Sequence, residues 1–268
     1  MPDFALAQRA MKTAAVAALF ATLIQPFTAR AETPAPVCNT SLELVRLTHP
    51  LQHVAQKLSG GDALTIVAIG SSSTAGAGAS SPAKNYPSQL ALYLRNRFHK
   101  TTINMINRGV NGEEIGDMLK RFDQVVAAKP DLVLWQLGTN SVVRDHQISD
   151  HGAAIRKGVA RIRASGADVV LINPQYAPKV IVRPEAAPMI ELIATSAKLE
   201  NVDLFHRYEV MKHWYNDEHI KFESFVSADG LHMNDWSYAC FAQGLGVAIA
   251  EAAERPVMSA TAGSRPRP

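Results

Sequence analysis

Residues 63–76 read ALTIVAIGSSSTAG, and this stretch decides the fold. An almost unbroken apolar run ends at Gly70, and a turn rich in serine follows it. A short run that is apolar on both faces predicts a strand in a parallel sheet, because helices cover both faces of such sheets. Residues 131–137 (DLVLWQL) have the same character and also end at a glycine, Gly138.

The sequence on either side continues this alternation of strands and helices. Further strands are predicted at residues 102–107, 167–172 and 201–205. Helical spacing of apolar residues predicts helices at 40–58 with a break at Pro50, and at 87–98, 113–128, 149–164, 188–200 and 236–252. Five strands, each followed by a helix, predict a single α/β domain. It is a three-layer α/β/α sandwich with a five-stranded parallel sheet, flavodoxin-like in its winding.

The composition is that of a globular domain of enzyme size. Of the 268 residues, 47% are hydrophobic and 19% are charged, which excludes intrinsic disorder and collagen-like or coiled-coil classes. The formal net charge is only +3, and no concentrated basic face accompanies it. Nucleic acid is therefore not an expected partner.

The N-terminus has the character of a signal peptide. Arg9 and Lys12 precede the uncharged segment 13–24, and Ala29 and Ala31 supply the small residues that a signal peptidase recognises. The apolar run is shorter than the roughly 20 residues that span a bilayer. An amphipathic or buried helix is the alternative interpretation. We expect cleavage after Ala31.

Export defines the expected domain organisation. Residues 1–31 are the signal peptide, 32–254 the domain, and 255–268 a flexible tail rich in Pro, Ser and Arg. The mature protein is expected in the periplasm or outside the cell, with no stable insertion in the membrane.

The two cysteines, Cys38 and Cys240, lie far apart in this expected domain. An oxidising compartment lets them form a disulfide. The alternative is two separate buried apolar residues. A metal site is not expected, because neither cysteine has a second cysteine or histidine at ligand spacing.

Polar residues follow the strands where ligands bind in such sheets, at the carboxyl ends. The segments are GSSSTAG at 70–76, NRGVNG at 107–112, GTN at 138–140 and, late in the chain, DGLH at 229–232. Acyl transfer requires a nucleophilic hydroxyl, a base, a group that orients the base, and donors to the oxyanion. These segments contain all four, although each segment alone is a weak signal.

These segments resemble the sequence blocks of the SGNH hydrolase superfamily, also called the GDSL esterases and lipases. The resemblance covers residues 64–76, 106–113, 132–141 and 229–232. It implies Ser72 as nucleophile, His232 as base and Asp229 as the residue that orients it. It also implies an oxyanion hole of the Ser72 and Gly112 backbone N–H groups and the Asn140 amide. No metal or organic cofactor is implied.

One position departs from the family. Ser71 stands where the family usually has Asp, giving GSS in place of GDS. That Asp is not one of the reacting groups, so the implied chemistry does not depend on it. With Gly70 and Gly76 held in register, Ser72 aligns with the family's nucleophile, and Ser71 and Ser73 are interpreted as turn residues.

The substrate is the least determined part of the prediction. The connection 173–188 crosses the presumed active edge, so Gln175, Tyr176 and Arg183 are candidate substrate contacts; the alternative is three polar residues in a solvated loop. By analogy, we expect an exported esterase acting on short-chain acyl or O-acetyl groups of small molecules or glycans. A polysaccharide O-acetyltransferase using the same residues and a non-catalytic glycan-binding module are the alternatives.

Overall fold

The computed structural model describes residues 36–255. Five strands in this range form one sheet: β1 Leu64–Gly70, β2 Ile103–Gly109, β3 Leu132–Gln136, β4 Asp168–Ile172 and β5 Asp203–Phe205. All neighbouring strands are parallel, and their order across the sheet is β2-β1-β3-β4-β5. The predicted five-stranded parallel sheet of flavodoxin-like order is confirmed.

Helices fill the connections between the strands. In chain order the described residues form α1 Leu42–Val45, α2 Gln52–Gly60, α3 Ser72–Ala75, α4 Tyr86–Arg97, α5 Ile115–Lys120, α6 Phe122–Val126, α7 Thr139–Val143, α8 His151–Arg163, α9 Pro178–Ile181, α10 Ala186–Glu200, α11 Arg207–Asn216, α12 Phe222–Phe225 and α13 Asp235–Glu254. A short 3₁₀ turn covers Pro82–Lys84. α4 packs on α13, while α8 packs against α5 and α10.

The core lies between the sheet and these helices. All five residues of β3 are buried, and the Trp135 ring lies edge-on to Phe122, with 4.9 Å between ring centroids. A Cβ added at Gly158 of α8 would come within 2.3 Å of the Trp135 ring. The glycine therefore permits the close approach of α8 to the sheet.

Two predicted segments differ in detail from the structure, and one helix was not predicted. The single helix predicted over 113–128 is two short helices, α5 and α6, which meet at Arg121 in a non-helical conformation (φ −110°, ψ 14°). The connection 173–188 contains α9 and the start of α10. Helix α11 was not predicted, although Val210, Met211 and Trp214 give it a buried stripe at helical spacing.

The predicted disulfide is present. Cys38 and Cys240 are joined with an S–S distance of 2.07 Å, which attaches the segment before α1 to α13. The Trp236 indole N–H supports the same junction by donating to the Pro36 carbonyl over 2.7 Å.

The ends of the predicted domain are only partly described. Arg255, predicted as the first residue of a flexible tail, donates from its guanidinium to the carbonyl oxygens of Leu47 (2.8 Å) and Thr48 (2.9 Å) and is held against the domain. Residues 256–268 and the predicted signal peptide lie outside the described residues. Between residues 36 and 255, no helix combines the length and apolar character needed to cross a membrane.

Two carboxylates at the amino ends of strands, the buried Asp203 and the partly buried Asp168, secure the segment that precedes β1. Asp203 accepts the backbone N–H groups of Thr48 (2.7 Å) and His49 (3.0 Å), and Asp168 accepts that of Val54 (3.0 Å). Burial raises the pKa of both Asp168 and Asp203 above the ordinary carboxyl value. This edge of the sheet is thus structural, and it is opposite to the carboxyl ends of the strands.

Candidate active site

The serine-rich turn connects β1 directly to the short helix α3. Ser72 is the first residue of α3, and its exposed fraction is 9%, so the residue is largely buried. Gly70 ends β1 at a crowded point, because an added Cβ would lie 2.2 Å from Thr74 Oγ1. Gly109 at the end of β2 is equally crowded, with Ala75 N only 2.1 Å from an added Cβ. Glycine at both positions allows the turn to pack tightly between the strand ends.

Gln136 holds this turn in place, and this role of Gln136 was not predicted from the sequence. It is the last residue of β3 and is fully buried. Its Oε1 accepts hydrogen bonds from the Ser71 backbone N–H (3.0 Å), the Ser71 hydroxyl (3.2 Å) and the Thr74 hydroxyl (3.3 Å). The available signal was a single polar side chain in an otherwise apolar strand, since a buried amide has to be hydrogen-bonded.

The DGLH segment brings a histidine to the serine. His232 Nε2 lies 2.7 Å from Ser72 Oγ, and His232 Nδ1 lies 2.5 Å from Asp229 Oδ2. The other carboxylate oxygen, Asp229 Oδ1, accepts the backbone N–H groups of Leu231 (2.9 Å) and His232 (3.0 Å). The three side chains that the sequence singled out therefore form one continuous hydrogen-bonded line.

The electrostatics of this line keep the carboxyl group of Asp229 ionised. Burial by itself raises the pKa of Asp229, but the hydrogen bonds from the His232 ring and from the backbone N–H groups of His232 and Leu231 outweigh it. The net effect is a pKa below the ordinary aspartate value. An ionised Asp229 accepts the Nδ1 proton, which leaves Nε2 free to accept the Ser72 hydroxyl proton.

The three groups expected to hold the oxyanion each have a hydrogen-bond donor that is not used within the described residues. Within residues 36–255, the backbone N–H groups of Ser72 and Gly112 have no acceptor. Gly112 adopts a positive φ of 79°, which favours glycine there. The Asn140 amide donates one hydrogen to the Glu113 carbonyl over 2.8 Å and has a second hydrogen to offer.

The loop that carries Gly112 is held by an ion pair. The Arg121 guanidinium pairs with the Glu113 carboxylate at 2.5–2.8 Å, and both groups are largely buried. The same guanidinium donates to the carbonyl of Gly70 at the end of β1, over 3.3 Å. The ion pair thus connects the loop after β2 to the strand that precedes the nucleophile turn.

The prediction that Gln175 contacts substrate is wrong. Its exposed fraction is 0%, and its side chain is fully engaged within the protein. Oε1 accepts from the Thr139 hydroxyl (2.9 Å) and from Arg207 Nη2 (2.9 Å), while Nε2 donates to the Leu231 carbonyl (3.2 Å). A substrate cannot reach a side chain enclosed in this way.

The other two predicted substrate contacts have other partners in the structure. Tyr176 belongs to an aromatic cluster, with its ring centroid 5.1 Å from Tyr208 and 5.6 Å from Phe222. Arg183 pairs with Asp145 on the surface at 2.7 Å. In the part of the chain that is described, neither side chain is hydrogen-bonded to Ser72, His232 or Asp229. Their role in substrate binding stays a prediction.

No metal-binding arrangement was found in the described range. Residues 36–255 contain no group of three or more His, Cys, Asp or Glu side chains placed to hold a metal ion.

Comparison with known proteins places residues 37–255 within one family model, that of the non-GDSL lipase-like family. That description agrees with the GSS sequence at 70–72, where GDS would be usual. No curated protein matches the sequence.

Several solved structures are similar. One is a two-domain esterase active on acetylated mannans, co-crystallized with mannopentaose (TM-score 0.67, 18% identity, 79% of this chain and 56% of that chain). The acetylxylan esterase Axe2 from Geobacillus stearothermophilus is another (TM-score 0.59, 18% identity, 69% and 94%). TesA is a third (TM-score 0.59, 19% identity, 70% and 99%). The chain spans little more than half of the two-domain esterase, and identities this low establish similarity of fold alone.

Proposed function

The chain belongs to the non-GDSL lipase-like family, whose fold here is that of SGNH-type esterases, and on that premise we propose that it hydrolyses carboxylic esters through Ser72, His232 and Asp229. One observation carries the proposal. The hydroxyl, the imidazole and the carboxylate lie in a continuous line, at 2.7 Å and 2.5 Å. A base within hydrogen-bond distance of a hydroxyl, itself oriented by an anion, is the arrangement that activates a serine.

In the first half of the reaction, Ser72 Oγ attacks the ester carbonyl carbon while its proton passes to His232 Nε2. Negative charge develops on the carbonyl oxygen, and Asp229 stabilises the imidazolium that forms. The free N–H groups of Ser72 and Gly112 are suited to receive the oxyanion. Collapse of the tetrahedral intermediate breaks the bond to the alcohol, which leaves with the proton from His232.

In the second half, water takes the place of the alcohol. His232 removes a proton from the water as it attacks the acyl group on Ser72. We propose that the same N–H groups and the Asn140 amide donate to the second oxyanion, and each such donor typically contributes about 100- to 1000-fold to turnover. The carboxylic acid then leaves, and Ser72 regains its proton.

The substrate class that we propose is a small acyl group, including an O-acetyl group on a glycan. Gly78 packs closely on the loop of His232, where an added Cβ would lie 2.3 Å from the Met233 carbonyl oxygen. The similar structures are named as esterases of acetylated mannans and of acetylxylan, and they support an acetyl group as the acyl group, although they are distant in sequence.

We propose, in addition, that the protein is exported, with residues 1–31 removed and 32–254 as its mature domain. The disulfide between Cys38 and Cys240 supports an oxidising compartment. Mass spectrometry of protein recovered from the periplasm and the medium tests this proposal. Mature chains beginning at Glu32 support it, and chains that retain Met1 contradict it.

The decisive experiment compares three serine variants on short aryl esters, longer acyl esters and acetylated xylan and mannan oligosaccharides. We expect Ser72→Ala to lose activity by several orders of magnitude and to remain folded. Ser73→Ala is the matched control, because the Ser73 hydroxyl is buried and has no partner among the described residues. Ser71→Ala keeps the backbone N–H that bonds to Gln136 and tests the register.

The outcomes separate the alternatives. Loss in Ser71→Ala or Ser73→Ala with full activity in Ser72→Ala places the nucleophile one residue away. Full activity in all three contradicts a covalent serine mechanism. Transfer of acetate to an added glycan acceptor, in place of its release, identifies an acetyltransferase. Glycan binding without turnover of any ester identifies a binding module.

A further inference from the structure

Gln175 joins two parts of the candidate site. Its Oε1 accepts from the hydroxyl of Thr139, which precedes Asn140, and its Nε2 donates to the carbonyl of Leu231, which precedes His232. One buried amide therefore connects the segment with the oxyanion donor to the segment with the base. The two segments are far apart in the chain.

Arg207 determines which way this amide faces. Its Nη2 donates to Gln175 Oε1 over 2.9 Å, and its Nε donates to the Asn173 carbonyl over 3.0 Å. If the amide turned over, its NH₂ group would face the Arg207 guanidinium, which can only donate, and its oxygen would face the Leu231 carbonyl, which can only accept. The Thr139 hydroxyl could adapt by accepting, but these two contacts could not, so they select one orientation.

Arg207 is an unusual residue for a structural core. It is fully buried, and no carboxylate within residues 36–255 forms an ion pair with it. Burial lowers the pKa of Arg207 to about 10, so the guanidinium is still charged at neutral pH. It lies 5.9 Å from the centre of the Phe241 ring. A buried charge without an ionic partner costs stability unless hydrogen bonds compensate, so the contacts to Asn173 and Gln175 are important for Arg207.

We propose that Gln175 is a positioning residue for the reaction, held in one orientation by Arg207, that sets the spacing between the Asn140 donor and the His232 base. The inference rests on the proposed function and adds to it. Gln175 touches no reacting atom; it acts through the backbone of its neighbours. Misplacement of catalytic groups by about 1 Å is enough to cost on the order of 100-fold in rate.

Gln175→Glu distinguishes positioning from a purely structural role. The carboxylate still accepts from Arg207 and Thr139, and it gives Arg207 the counter-charge that it lacks. Its second oxygen, however, faces the Leu231 carbonyl and repels it. We therefore expect the variant to fold, since the new ion pair with Arg207 offsets that repulsion, with kcat lower by about 10- to 100-fold and KM changed by no more than about twofold. Gln124→Glu, on the exposed face of α6, is the control for the charge change.

Thr139 supplies a second pair of variants that keep the side-chain volume close to native. Thr139→Val removes the hydroxyl that bonds to Gln175, and we expect kcat to fall about 2- to 10-fold, the range of one neutral hydrogen bond. Thr139→Ser keeps the hydroxyl and is expected to restore most of that loss. If Gln175→Glu does not fold, the comparison of Thr139→Val with Thr139→Ser tests the positioning role in its place.

Two results would overturn the inference. The first is a stable Gln175→Glu variant with wild-type kcat. The second is equal kcat values for Thr139→Val and Thr139→Ser. Ser72→Ala, measured alongside, keeps the two proposals separate. If Ser72→Ala is inactive and Gln175→Glu fully active, only the positioning role fails; if Ser72→Ala is fully active, the proposed function itself fails.

Discussion

Replacing Gly109 by alanine tests whether close packing of backbone segments sets the position of the nucleophile. Gly109 ends β2 beside α3, and a Cβ built there lies 2.1 Å from Ala75 N and 2.5 Å from Thr74 C. Ordinary van der Waals contact begins at 3.4 Å, so the two segments must separate by about 1.3 Å at this point. The atoms in the way are backbone atoms, which cannot turn aside as a flexible side chain can.

The expected effects follow from that displacement. Overpacking of this kind typically costs about 1 to 3 kcal/mol, and a backbone obstacle favours the upper end of that range. The chain displaced is the helix that begins with Ser72, so the hydroxyl moves relative to His232. A shift near 1 Å lowers kcat/KM by about 100-fold. Gly109→Ala is therefore expected to lose both stability and activity.

Gly116→Ala is the matched control. Gly116 lies exposed in α5, and an added Cβ meets no atom within 4 Å. Alanine is the better helix residue by about 0.5 to 1 kcal/mol, so this variant is expected to be slightly more stable and fully active. Urea unfolding gives the stability of each variant, and hydrolysis of a short aryl ester gives kcat/KM. Wild-type kcat/KM in a folded Gly109→Ala would refute the reasoning.

Three further predictions concern stability and pH. Replacing Cys38 and Cys240 by serine removes a link across 202 residues and is expected to lower the free energy of urea unfolding by about 5 kcal/mol; an unchanged midpoint on reduction of the wild type would contradict it. Burial raises the pKa of Asp168 in the folded state, so the stability that its protonated form contributes at acidic pH is lost as the pH rises through that pKa. Asp168→Asn should gain stability relative to wild type as the pH rises above the ordinary aspartate pKa of about 3.9, and parallel unfolding curves would count against this. Asp229→Asn is expected to reduce kcat by roughly 10³- to 10⁴-fold without unfolding, because an amide cannot hold His232 in the tautomer that accepts the serine proton; near-native kcat would remove Asp229 from the mechanism.

The sheet was predictable because its signal is continuous in the sequence. The strands β1, β3 and β4 are short apolar runs that end at a polar turn, and burial on both faces leaves few alternatives. The edge strand β2 is mostly only partly buried, and its signal is weaker. The boundaries were less predictable. The helix expected over 113–128 breaks at Arg121, whose side chain pairs with Glu113, and a tertiary contact of that kind has no local signature. The helix α11 was omitted, although its buried stripe was present in the sequence.

The candidate site was also predictable only in part. Residues on recognisable blocks, such as Ser72 and His232, could be named from the sequence, and the structure brings their side chains within hydrogen-bond distance. Gln175 was expected to face substrate because it lies in a polar connection between two prolines, but it is buried. A polar side chain in a loop does not reveal whether its partner is a ligand or a distant buried residue such as Arg207. That distinction depends on contacts between residues more than 30 positions apart.

The departure at position 71 shows how a change in one block is accommodated in another. Three donors, the Ser71 N–H, the Ser71 hydroxyl and the Thr74 hydroxyl, converge on the single oxygen Oε1 of Gln136. An aspartate at 71 could bond to Gln136 only if the amide turned over to donate from Nε2, and the backbone N–H of residue 71 would then face a donor in place of its acceptor. Serine at 71 and glutamine at 136 therefore suit one another, and the neutral pair fixes the nucleophile turn without a buried charge. The chemistry at Ser72 thus depends on a hydrogen-bond acceptor from a different strand, which the pattern of the nucleophile block alone does not contain.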